Sequence, residues 1–106
     1  MDQVKELTAI VQREVEDYAR GDTSRAVTYP VSDVARQTYT VIIVPDHPRK
    51  YKSAVAVAVR VANDKVIIDE DITDRPLWKE LVRAGIPREQ IILTYAGEKL
   101  PESMQP

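Results

Sequence analysis

The sequence contains no cysteine, which excludes disulfides, thiolate zinc sites, iron–sulfur clusters and a cysteine nucleophile. That absence fits a reducing cytoplasm. Its three glycines, at positions 21, 85 and 97, stand too far apart to build a phosphate-cradling loop. No apolar run approaches the ~18 residues of a membrane span. The opening stretch MDQVKELTAIVQREVEDY alternates apolar with charged residues, so it holds no apolar core of a secretory signal. Nor does one sign of charge dominate: 15 Lys and Arg against 17 Asp and Glu leave a net −2. A dedicated nucleic-acid binder usually carries a basic excess. A soluble, cytoplasmic protein without a membrane segment is the expectation. At 106 residues it forms one domain, because a second core needs roughly 50 residues of its own.

What is present is an alternation of helical and strand patterns. Val4, Leu7, Ile10, Val11, Val15, Tyr18 and Ala19 recur at spacings of three and four, which predicts an amphipathic helix over 3–20 stopped near Gly21. An extended segment over 25–31 contains Pro30 and therefore belongs at a sheet edge. QTYTVIIV (37–44) and SAVAVAVRVA (53–62) are rich in β-branched residues. In the second, Val55, Val57, Val59 and Val61 alternate against Ala54, Ala56, Ala58 and Arg60. Asn63-Asp64 suits a tight hairpin turn into KVIIDE (65–70). Thr73 or Asp74 can cap a second helix with Pro76 in its first turn, and Gly85 ends it. A last strand follows over 90–95.

The expected order is α-β-β-β-β-α-β, an α+β domain on a largely antiparallel sheet of four or five strands. The domain occupies 1–96, and 97–106 has the composition of a flexible tail. Both sheet faces are apolar at the centre, so either the helices divide between them or a second copy covers one. The second option predicts a homodimer.

Residues able to carry chemistry are few. His47 is the one histidine and sits between prolines in a loop, with no spaced partner for acid–base work or a metal. Asp69, Glu70, Asp71 and Asp74 are dense enough to suggest magnesium, but strand alternation separates Asp69 and Asp71 from Glu70. Acids also belong beside a helix N-terminus in their own right. Arg49, Lys50 and Lys52 around Tyr51 form the single basic cluster, a possible DNA contact or simply a soluble connection. No catalytic, metal or cofactor site is expected, and the residues alone describe a non-enzymatic interaction domain.

KVIIDEDITDRPLWKELVRAGIPREQIIL (65–93) resembles the signature stretch of the XisI family. The matching parts are Ile68, Thr73-Asp74, Glu80-Leu81-Val82 and the run from Gly85 to Leu93, and the helix ending in Asp17-Tyr18-Ala19 is similar to the family's first helix. The chain departs from the family at Val44-Pro45-Asp46, where many members have Gly-Trp, and at Ala56 and Ala58, near a missing histidine. The resemblance implies an accessory factor in excision of a DNA element. It would act by contact with an XisH-like partner of restriction-endonuclease fold. Family-like sequence concentrates at Arg75, Trp78, Gly85, Pro87, Arg88 and Glu89, which makes them the expected partner surface. The alternative is a dimeric DNA binder using Arg49, Lys50, Tyr51 and Lys52.

Overall fold

A computed structural model describes residues 3–19, 26–46 and 52–104. Helix α1 (Gln3–Ala19) precedes strands β1 (Ala26–Asp33), β2 (Thr38–Pro45), β3 (Ala54–Ala62) and β4 (Lys65–Asp71); helix α2 (Leu77–Arg83) and strand β5 (Ile91–Leu93) follow. The five strands lie side by side in chain order. Pairs from β1 to β4 are antiparallel, whereas β5 runs parallel to β4. A parallel pair cannot be closed by a hairpin, so α2 supplies the crossover. The α+β class and element order match the sequence expectation, with a mixed sheet.

The apolar stripe of α1 buries Leu7, Val11 and Val15 against Tyr39, Val41, Val57, Val59 and Val61 of the sheet. Leu77 and Leu81 of α2 join the same cluster with Val66 and Ile68. Both helices therefore cover one face, and α1 packs on α2 as well as on β1, β2 and β3. The idea that they divide between the two faces is corrected. Leu77 and Leu81 of α2 share one apolar cluster with the stripe of α1, so burying them requires the face that α1 already covers.

Two bulges change the alternation read from the sequence. Val57 pairs with Val41 but Val55 pairs with Ile42, so Ala56 is an extra residue in β3. Ala56 thereby turns into the core beside Val57, and Val55 turns to the opposite face, where it is exposed. The expected single valine face holds only from Val57 onward. In β4 the partners shift from Ile68–Val59 to Glu70–Ala58, leaving Asp69 as the extra residue. Asp69 and Glu70 then share the outer face while Asp71 points toward the helices, which corrects the grouping of Asp69 with Asp71.

The turns follow residue chemistry. Asn63 and Asp64 adopt φ +50° and +58°, the mirror-image turn that suits the strand twist. Between β1 and β2, Asp33 accepts the Arg36 backbone N–H at 3.1 Å and Gln37 takes φ +50°. That Asx-type cap carries β1 two residues past the predicted end. Pro30 sits within β1, at the sheet edge, as its missing N–H requires.

Candidate functional site

The end of β4 sets the position of α2. Asp71 Oδ1 accepts the Thr73 backbone N–H at 2.9 Å, and Oδ2 accepts the Leu77 N–H at 2.8 Å. The cap is therefore Asp71, reaching across six residues, and not Thr73 or Asp74; Pro76 occupies the N-cap position itself. At the other end Gly85, at φ +111°, closes a Schellman motif. Its N–H bonds to Val82 and that of Ile86 to Leu81, each at 3.0 Å, and Ile86 is buried. These two ends fix both Trp78 on α2 and Arg88 in the turn that follows.

Trp78 and Arg88 meet. The Arg88 guanidinium lies 5.1 Å from the Trp78 ring centroid, and Lys79 approaches the ring at 5.7 Å. Arg88 is held from behind: Nη1 donates to the Ile91 carbonyl at 2.7 Å and Nη2 pairs with Glu98 at 2.6 Å. Glu98 in turn accepts the Leu93 N–H at 2.8 Å. That bond and the Arg88 charge hold the Glu98 carboxyl below its ordinary range. The half-buried indole under a clamped cation is a rigid aromatic–arginine surface of the kind found at binding hot spots. Nothing local in the sequence links Arg88 to Glu98, ten residues on and inside the segment read as tail.

Of the remaining expected partner residues, Arg75 lies apart from Gly85 and Pro87, so the set does not form one surface. Arg75 stacks on Tyr18 of α1 at 4.7 Å, and the Tyr18 hydroxyl donates to the Arg75 carbonyl. Burial pushes the Tyr18 phenol above its usual value. Tyr18 and Arg75 rim an open groove of about 640 Å³ floored by Val41, Ile43 and Ala56. Gly85 and Pro87 instead line a cleft of about 170 Å³ against Leu7 and Ile10. Leu7 and Tyr18 lie eleven residues apart on α1, roughly 16 Å along its axis, so Arg75 and Pro87 flank opposite ends of that helix. Glu89 is exposed in the turn beside Arg88.

Of the basic cluster, Lys52 is exposed, while Arg49, Lys50 and Tyr51 lie outside the described residues, as does His47. The acidic group is dispersed. Asp69 pairs with Arg60 at 2.8 Å and accepts the Thr94 hydroxyl at 2.7 Å on the outer face, whereas Asp71 is committed to the α2 cap. Among the described residues no three His, Cys, Asp or Glu side chains form a metal-ligand group, and no helix is long and apolar enough to cross a membrane.

Fold and surface define a small α+β domain with a mixed five-stranded sheet, helices on one face and a fixed aromatic–arginine patch at the second helix. The family model described as XisI protein matches residues 1–104, and the chain belongs to the XisI family. Two solved structures from Anabaena variabilis ATCC 29413 share the fold. An XisI-like protein superposes with a TM-score of 0.76 at 23% identity, over 85% of this chain and 84% of that one. The fdxN element excision controlling factor XisI superposes with a TM-score of 0.71 at 22% identity, over 98% and 100%. No curated protein matches the chain.

Proposed function

We propose that this chain is a non-enzymatic cytoplasmic accessory protein in control of DNA-element excision, and that it acts by binding an XisH-like protein of nuclease fold. Family membership supports the excision role, since a protein of the same fold bears the name of an excision controlling factor. The observation that carries contact as the mode of action is the Trp78–Arg88 patch. Its cation is pre-ordered by Ile91 and Glu98, so little side-chain freedom is lost on docking. The patch lies within the stretch where the family-like sequence is densest.

Co-expression with an XisH-like protein from the same genome, followed by size-exclusion chromatography with light scattering, tests the reading. A stable mixed complex is expected. Trp78→Ser and Arg88→Ala, each checked for retained fold by circular dichroism, should weaken it by about 30-fold or more, the scale of a hot-spot loss. Failure to form a complex removes the partner assignment. A complex indifferent to both substitutions removes the surface. Duplex DNA binding by the isolated chain, falling steeply with salt, would favour the basic connection instead.

A further inference from the structure

The face of the sheet turned away from the helices remains open at one side. Register places Val27, Tyr29 and Val31 of β1, Ile42 and Val44 of β2, and Val55 of β3 together on it. Val27, Tyr29, Val31 and Val55 are 48, 50, 46 and 42% exposed. Farther across the same face Ile67 and Ile92 are buried, so the exposure is confined to the β1–β3 side. Three strands about 4.8 Å apart and eight residues of about 3.4 Å give this side a footprint of roughly 14 by 27 Å. That area, roughly 380 Å², is the size of the largest apolar patch on a typical monomer, a size that is often functional.

We propose that this face is an interface with a second copy of the chain, packed sheet on sheet about a two-fold axis. Three observations select that occupant. First, the described charges on this face come in pairs of opposite sign: Asp33 with Arg36 and Asp69 with Arg60, while Glu70 and Lys65 add one of each. A two-fold axis can set such unlike charges opposite each other. Second, two copies of one twisted sheet have the same twist and can pack in the aligned manner of a sandwich. Third, the free edge of β1 resists the competing arrangement. Pro30 has no N–H to give Val41, so it faces outward and interrupts the donor row that edge-to-edge pairing needs.

The footprint sets the strength. Its apolar centre provides about half of the ~800 Å² per partner of a standard interface. The association is therefore concentration-dependent, not obligate. Light scattering on the full chain from about 1 to 300 μM should show the mass rising toward twice that of one chain. Tyr29→Glu and Val31→Glu, exposed positions that leave the helix-side core intact, should hold it at the monomer mass with an unchanged circular dichroism spectrum. A wild-type chain monomeric throughout the range overturns the proposal, and so does a dimer unaffected by both substitutions. Because Tyr29 and Val31 lie on the face away from the helices, their loss leaves the Trp78–Arg88 patch in place, and the two readings fail separately.

Discussion

Asp71 concentrates more structural work than any other charged side chain described. One carboxylate closes an Asx turn through Thr73 and caps α2 through Leu77, tying the end of a strand to the start of the crossover helix. Asp71→Ala should destabilise the fold by about 1–2 kcal/mol, the usual cost of a lost cap, read as a lower denaturant midpoint with an unchanged slope. Thr73→Ala should cost less, since the Leu77 bond survives. Glu98 acts at the same scale on the opposite side of α2. Its pKa is lowered in the fold, first by the Leu93 N–H and then by Arg88. A depressed carboxylate contributes stability above its unfolded value of ~4.3. That contribution disappears as pH falls through the lower folded value. Glu98→Gln should accordingly narrow the stability gap between pH 6 and pH 3, and urea titrations at both pH values measure it.

At the scale of elements, Gly85 permits the turn that delivers Arg88. Its φ of +111° suits no side chain, although a Cβ there would meet nothing within 4 Å. Gly85→Ala should therefore cost about 1–2 kcal/mol through backbone strain alone, with a matching fall in melting temperature and no loss of core packing. This stop was legible in the sequence, as were α1, the Asn63-Asp64 hairpin and the edge placement of Pro30, because each rests on a local rule. The bulges at Ala56 and Asp69 were not. They come from pairing with neighbouring strands, and a single strand's alternation carries no record of its partner's register. The cap at Asp71 was missed for a related reason. It acts across six residues, while the helix rules look only one turn back. Of the candidate site, Trp78 and Arg88 stood out by where they fell in the chain, but Glu98 and the pairing of Tyr18 with Arg75 could not, since these contacts form only after folding.

For the whole molecule, helices on a single face make the two sides of the sheet energetically unequal. Val57, Val59, Val66 and Ile68 are sealed between sheet and helices, so their amides should exchange with solvent only through global unfolding. Leu81→Ala, which opens that sealed side, should cost about 2–5 kcal/mol. β1 is an edge strand, and its amides test how the open face is covered. In an antiparallel strand alternate residues point their N–H to opposite sides. With Pro30 facing the free edge, Thr28 and Ser32 share that direction, whereas Val27, Tyr29 and Val31 bond inward to β2. Face-to-face packing of two copies would slow the inward set as protein concentration rises and leave Thr28 and Ser32 fast. Edge pairing would instead slow Thr28 and Ser32. Hydrogen exchange resolved by residue at low and high protein concentration separates these outcomes. Exchange across β1 that is unchanged with concentration in both sets would mean that neither surface meets a second copy.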